Sequence, residues 1–370
     1  MILGVDTSTY LEELEHGAKF YFEGKEIDPL DRFIKNGVSY MRIRLWHNPY
    51  TLDGKPYLAG TCDFKYFIRL AKLAISKGYK ILLDIHYSDF WVDPAKQTMP
   101  KAWRGHSFSE LKKDVYDYTK EVLENAKKEG VEVSMIQIGN EITNGMLWPI
   151  AKLEDNGAGP RKNYDKLAAF LNAGIKATKE VLPNCKIIIH LERSYDNQVY
   201  REFFSEIIKY NVNFDIIGAS YYPYWHHSFD ELFANLNDCK KKFNKEFMIM
   251  ELGYAFTLED YVKGENNHLV VRENNVNTFG MKIEFPFTKE GQKDFITAFL
   301  KRAEKEGCSG VFFWEPLLIP GEGIAWASKE AQIYTSGEVS KEERSDWCNQ
   351  CFADYNGNLL PSFDAFKITK

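Results

Sequence analysis

Short apolar runs recur along the 370-residue chain, and each is followed by a longer stretch in which apolar residues return every three or four positions. The runs lie at 2–6, 38–45, 79–86, 133–139, 186–190, 214–220, 247–251 and 310–315. Nearly continuous Val, Ile, Leu, Met and Phe over such short lengths predicts strands buried on both faces. The amphipathic stretches at 64–77, 109–129, 165–181, 199–210, 229–243 and 289–306 predict helices. Gly37, Gly78 and Gly130 stand just before a strand, where a left-handed residue closes a helix. Pro183-Asn184 breaks the chain before the fifth run in the same way.

Eight strand–helix units in sequence predict an α/β fold, a (β/α)8 TIM barrel, as a single domain over 1–370. A doubly wound open sheet is the alternative, but no GxGxxG follows the first run. Two long connections, 257–288 and 316–360, are expected near the active-site face, with a closing helix at 362–368. The first of them is too long for a bare loop.

Polar residues collect where the apolar runs end. Asp6 closes the first, Arg42 and Arg44 the second, and Asp84, His86 and Asp89 the third. Asn140-Glu141 follows the fourth, His190 ends the fifth, Tyr221-Tyr222 the sixth, Glu251 the seventh and Trp314-Glu315 the eighth. Active sites of this fold lie at that mouth. Two glutamates delivered there from two strand ends suit glycosidic cleavage, one as proton donor and the other as nucleophile or base. The acid, Glu141, needs burial and a second carboxylate to raise its pKa. The nucleophile, Glu251, needs a cation and hydroxyl donors, for which Arg44 and a tyrosine are the candidates. Adjacent strand residues face opposite ways, so only one of Tyr221 and Tyr222 reaches the site. A structural reading of each residue stands beside the functional one: a salt-bridge partner for either glutamate, a satisfied core imidazole for His86 and His190.

Net charge is only −6 with both signs mixed, which speaks against a nucleic-acid or anionic membrane partner. No run approaches the length of a membrane helix. Aromatic residues reach 15%, with 21 Tyr, 26 Phe and 8 Trp, enough for a large core and for sugar-stacking faces besides. No H-E-x-x-H or G-x-S-x-G is present, so neither zinc nor serine chemistry is expected. Cys348 and Cys351 form an isolated C-x-x-C, read as ordinary cysteines or one local disulfide. Met1 leads directly into the first strand without a secretory segment, so the chain is either cytosolic or begins after cleavage.

Longer motifs then carry a resemblance. The segment Ile138-Gly139-Asn140-Glu141-Ile142, with Gly145-Met146-Leu147-Trp148-Pro149, resembles the acid/base segment of the endo-β-1,4-galactanases, glycoside hydrolase family 53. Arg42 to Trp46, the stretch 83–94, Ser220 to Trp225, Glu251 with Gly253-Tyr254, and Phe313 to Pro316 are similar to its other strand motifs. The resemblance implies a retaining hydrolase of β-1,4-galactan in type I arabinogalactan, with Glu141 as acid/base and Glu251 as nucleophile. It implies that Arg44, His86, Asn140, Tyr222 and Trp314 build the subsite of the reacting sugar, while Asp84, His190 and Tyr221 stand as further substrate-binding candidates from their strand-end positions. Trp91, Trp148 and Trp225 are then the stacking candidates for neighbouring sugars. A monomer with a polysaccharide or oligosaccharide substrate and no required cofactor is expected. Some bacterial members bind calcium in the seventh loop; here 257–278 carries Glu259, Asp260, Glu265, Asn266 and Asn267 without an ordered calcium pattern, leaving a structural calcium as the minor reading. His226-His227 stands where the family has His-Gly, and Cys351 where a small apolar residue is usual. A mannanase or glucanase on the same barrel, an intracellular oligosaccharide hydrolase and a sugar-binding protein without catalysis are the competing readings.

Overall fold

The computed structural model describes residues 1–157, 159–264, 268–276 and 284–369. Eight parallel strands close into one barrel in sequential order: β1 Ile2–Asp6, β2 Tyr40–Leu45, β3 Lys80–Ile85, β4 Val133–Ile138, β5 Lys186–Leu191, β6 Ile216–Tyr221, β7 Glu246–Leu252 and β8 Gly310–Trp314. Among the described residues the helices that follow the strands are α1 Pro29–Lys35, α2 Phe64–Ser76, α3 Phe108–Lys128, α4 Tyr164–Val181, α5 Asn197–Lys209, α6 Phe229–Phe243 and α7 Lys289–Lys305, with short helices at Tyr10–Glu15 and Lys329–Ser336 besides. The (β/α)8 expectation therefore holds, with every strand within two residues of its predicted limits. The closing segment Pro361–Thr369 is a 3-10 helix rather than an α-helix, and it lies against α7.

Local chemistry sets these limits. Ser107 and Ser228 open α3 and α6 as capping boxes with Glu110 and Glu231. Gly78 and Gly130 follow α2 and α3 at φ 96° and 76°, where a Cβ would cost stability. The helix α1 escapes the sequence pattern because it spans only seven residues.

Period-two alternation sorts the strand residues. Met41, Ile43, Ile136, Ile189, Ile217, Ile249 and Phe313 point outward into the helix layer and join the large core. Leu82, Met135, Ile188, Ile216, Met248, Met250 and Phe312 fill the barrel interior as a separate apolar cluster. Above that cluster the inward positions turn polar, with Asp6, Arg42, Arg44, Asp84, Gln137, His190 and Ser220, all fully buried.

One irregularity matters for the site. Ala219 of β6 pairs with Ile249, but Ser220 pairs with Glu251, so Met250 is an extra residue in β7. Strict alternation after Met250 would turn Glu251 outward. The bulge restores it to the barrel axis, a common use of bulges beside active sites.

Gly218 sits at the tightest inward position of β6. A Cβ there would stand 2.7 Å from Met250 Cγ and 3.0 Å from Ile188 Cγ2. Gly218→Ala is expected to lower the unfolding free energy by about 1–3 kcal/mol through overpacking. Urea unfolding checks this as a lower midpoint at unchanged slope.

Candidate active site

The Arg42 guanidinium is the floor of the site. Nη1 reaches Asp6 Oδ2 at 2.9 Å and Glu251 Oε1 at 3.1 Å, and Nη2 reaches Asp84 Oδ2 at 2.8 Å and Asn140 Oδ1 at 2.9 Å. Burial alone would lower its pKa, but Asp84, Glu251 and Asp6 raise it instead and keep the charge.

The cation beside Glu251 is thus Arg42, not Arg44 as expected from sequence. Both side chains point inward from β2, but Arg44 is taken by Asp6 (3.0 Å) and Glu315. Its guanidinium lies 4.1 Å from the Trp91 ring centroid and 5.5 Å from that of Trp314, so it supports the rings that wall the site.

Glu251 also receives a hydrogen bond from the Tyr222 hydroxyl at 2.8 Å. Burial raises its pKa, while Arg42 and Tyr222 oppose the rise. Glu141 follows β4 through Gly139 and holds φ 47° itself, a left-handed conformation that costs roughly 1–3 kcal/mol at a non-glycine residue. Its pKa stands well above the usual carboxylate range, raised by burial, then by Glu251, then by Glu192. Glu251 has a cation and a hydroxyl for its charge, whereas Glu141 has two carboxylate neighbours and one hydroxyl, Ser220 Oγ at 2.6 Å, but no cation. When the pair holds one proton, it therefore resides on Glu141. One oxygen of each carboxyl and a ring nitrogen of His190 lie within 4.8 Å of one another.

Both glutamates line a cavity of about 320 Å³. Five of the eight tryptophans of the chain, Trp91, Trp225, Trp314, Trp326 and Trp347, share its wall with Tyr222, His226, Asn140 and Val270. The Trp91 and Trp326 rings stack at 5.2 Å and 15°, and Trp347 meets Trp314 edge-on at 4.6 Å. Trp326 and Trp347 were not predicted, because the connection that carries them has no periodicity to place its side chains. Val270 comes from the other long connection.

Glu192 was also missed, although alternation from inward His190 points it to the same side. It lines the cavity, accepts a hydrogen bond from Thr143, and is pushed up to about 7 by burial.

Several predicted substrate contacts stand behind the wall instead. Asp84 binds Arg42, His86 Nε2 (3.0 Å) and Gln137 Nε2 (2.6 Å). His86 Nδ1 accepts from Val92 N. His190 bridges Asn140 and Ser220. These groups orient the lining residues. Trp148 is absent from the cavity wall; its ring nitrogen donates to Asn144 O and its face meets Lys152. Tyr221 points outward, donates to His227 O at 2.7 Å and stacks on Phe299. It borders a separate hollow of about 220 Å³ with Phe229, Phe295 and Arg302, which contains neither carboxylate. Tyr222 is the tyrosine of the site.

The metal-ligand geometry of Glu141, His190 and Glu251 is not a usable metal set, since both His190 nitrogens are engaged with Asn140 and Ser220. In the seventh loop Asp260 accepts from Val262 N, His268 N and His268 Nδ1, and nearby Asp346 is paired with Lys341 at 2.7 Å. Among the described residues these two acids are met by nitrogen donors. Glu265, Asn266 and Asn267 lie outside the described residues. All six cysteines are buried free thiols; Cys351 Sγ lies 3.1 Å from Leu318 O, a structural position.

Comparison with known proteins agrees with this geometry. The model of glycosyl hydrolase family 53 matches residues 2–366. An endo-beta-1,4-galactanase of Bacillus subtilis is 32% identical over 100% of this chain and 86% of its own length. The GH53 catalytic domain of Ignisphaera aggregans superposes with a TM-score of 0.87 at 35% identity, covering 99% of this chain and 95% of that one. A fungal beta-1,4-galactanase structure gives a TM-score of 0.77 at 26% identity, over 100% and 99% of the two chains.

Arg42→Lys keeps the charge but cannot serve two pairs of acceptors from one planar fork. It is expected to destabilise the protein by roughly 1.5–3 kcal/mol, the scale of one hydrogen bond to a charged group. A change under about 0.5 kcal/mol in denaturant unfolding, the scale of an ordinary surface substitution, would show that the fork is dispensable.

Proposed function

The chain belongs to glycosyl hydrolase family 53, and on that premise we propose that it hydrolyses internal β-1,4-galactosidic bonds of galactan and type I arabinogalactan with retention of configuration. The observation that carries the chemistry is the approach of a Glu141 oxygen and a Glu251 oxygen to within 4.8 Å inside an aromatic-walled cavity. Carboxyl groups about 5–5.5 Å apart suit a nucleophile and an acid on one sugar, whereas inversion needs roughly 6.5–9.5 Å to seat a water.

In the first step a Glu251 oxygen attacks the anomeric carbon while Glu141 passes its proton to the departing glycosidic oxygen. The carbon–oxygen bond breaks and a glycosyl ester forms on Glu251. In the second step ionised Glu141 takes a proton from water, the water oxygen attacks the same carbon, and Glu251 leaves as carboxylate. Arg42 and the Tyr222 hydroxyl stabilise that carboxylate at start and finish. Asn140 Oδ1 is saturated by Arg42, Gln137 and His190, and one Nδ2 proton goes to Val92 O. The second Nδ2 proton is left for the sugar 2-hydroxyl, a bond that strengthens as positive charge builds on the ring. Trp314 supplies a flat face for the reacting sugar, and Trp91 and Trp225 supply faces for its neighbours. All of these groups come from one chain, so the proposed reaction calls for no residue of a partner. No step calls for a metal or an organic cofactor.

Glu141→Gln and Glu251→Gln are each expected to lose about 10²–10⁴-fold or more in turnover of galactan, read as new reducing ends. Undiminished turnover in either variant contradicts the assignment, and faster cleavage of mannan or glucan than of galactan contradicts the substrate. A pH experiment isolates Tyr222. Its hydroxyl favours the ionised form of Glu251, so its loss raises that pKa. Tyr222→Phe should move the acidic limb of kcat/KM to higher pH by about 0.5–1 unit.

A further inference from the structure

We infer that Ser220, backed by His190, is a positioning residue that holds Glu141 in its protonated form in the free enzyme, because the single Ser220 hydroxyl proton is committed to His190. The inference rests on Glu141 being the acid of the proposed reaction.

The direction of each hydrogen bond can be deduced in turn. Asn140 Oδ1 faces Arg42 Nη2 at 2.9 Å and Gln137 Nε2 at 3.0 Å, and Asn140 Nδ2 faces Val92 O at 2.9 Å. Arginine has only donors and a carbonyl only accepts, so the Asn140 amide is fixed in one orientation. His190 Nδ1 lies 3.0 Å from that same Oδ1 and must therefore carry a hydrogen.

Arg42, His86 and His226 are the basic side chains that bear on His190, and a Glu141 oxygen and a Glu251 oxygen lie within 4.8 Å of one of its ring nitrogens. Burial, then the Arg42 guanidinium, holds the ring neutral; His86 and His226 are themselves kept uncharged by burial. A neutral ring with hydrogen on Nδ1 leaves Nε2 as an acceptor. Ser220 Oγ lies 2.8 Å from Nε2 and 2.6 Å from Glu141 Oε1. One hydroxyl proton cannot serve both. Given to His190, it leaves an oxygen lone pair facing Glu141, which only the protonated carboxyl can satisfy.

The consequence is a polarised chain from Glu141 through Ser220, His190 and Asn140. Ionised Glu141 would have to draw the Ser220 hydroxyl around to itself and leave the fully buried His190 Nε2 without a donor. Burial, then Glu251, Glu192 and Asp93, already press Glu141 towards the protonated form, whereas a Ser220 hydroxyl turned to the carboxylate would oppose them. The chain adds to them and makes the ionised group a stronger base for water in the second step. No proton travels along the chain; the hydroxyl only rotates.

The sign of one titration tests this. A serine that simply donates to the carboxylate would lower the Glu141 pKa, so its removal would raise it. A committed serine does the opposite. Ser220→Ala should lower the Glu141 pKa in the free enzyme by about 0.5–1 unit, the scale of one buried hydrogen bond. It is read by carbon-13 titration of glutamate carboxyls, with Glu141→Gln identifying the resonance, and again as a downward move of the basic limb of kcat/KM. Ser220→Thr, which keeps the hydroxyl, should titrate as the parent does. An upward shift or none in Ser220→Ala overturns the inference. The carboxyl titration needs no substrate, so an inactive parent, or an active Glu141→Gln, would sink the proposed reaction while this result still stood on its own.

Discussion

A guanidinium buried in the barrel sets the terms for everything above it. Arg42 is fully excluded from solvent, and such a charge is tolerated only when it is paired; both terminal nitrogens are used, and Nε alone is left without a partner. Asp6, Asp84, Asn140 and Glu251 meet that need from four different strand ends. The same contacts tie those strand ends to one point, so the constraint that stabilises the cation also fixes the geometry of the site. Below it the interior is apolar, which strengthens each of these attractions by lowering the local dielectric.

The division of labour between the two glutamates follows from that arrangement. They share one cavity and one repulsion, yet only Glu251 touches Arg42. The proton is pushed to Glu141, where Glu192 and the surrounding burial keep it. The tryptophan wall acts in the same direction, because it excludes water and offers no charge. Arg44 beneath Trp91 and Trp314 holds those rings through their faces. A pyranose with an apolar face and a hydroxyl rim suits such a wall, with Asn140 and Glu192 available at the polar edge.

Much of the fold could be read directly from sequence, because strands buried on both faces are short uninterrupted apolar runs and the helices keep a clear period. The strand-end positions of Glu141 and Glu251 could be read for the same reason. The rest was hidden for identifiable causes. Arg42 and Arg44 share one face of β2, so alternation alone could not say which reaches Glu251. The choice between Tyr221 and Tyr222 needed the end of β6, where Ser220 and Tyr222 point in and Tyr221 points out. The bulge at Met250 breaks the period without any change in composition. Trp326 and Trp347 arrive from a connection whose path depends on long-range contacts such as Trp347 Nε1 to Trp314 O. Trp148, a stacking candidate by its position in the motif, lies outside the cavity that holds the two glutamates, with its ring nitrogen bonded to Asn144 O and its face against Lys152.

The proposed reaction needs Glu251 to carry the charge and Glu141 the proton. A 2-deoxy-2-fluoro-galactosyl donor with an activated leaving group tests that division most directly, since it slows release of a glycosyl ester once formed. Peptide mapping by mass spectrometry should find one fluorogalactosyl adduct, on Glu251, and Arg42→Lys should form it more slowly. An adduct on Glu141, or turnover that yields the inverted anomer with no adduct at all, would contradict the account.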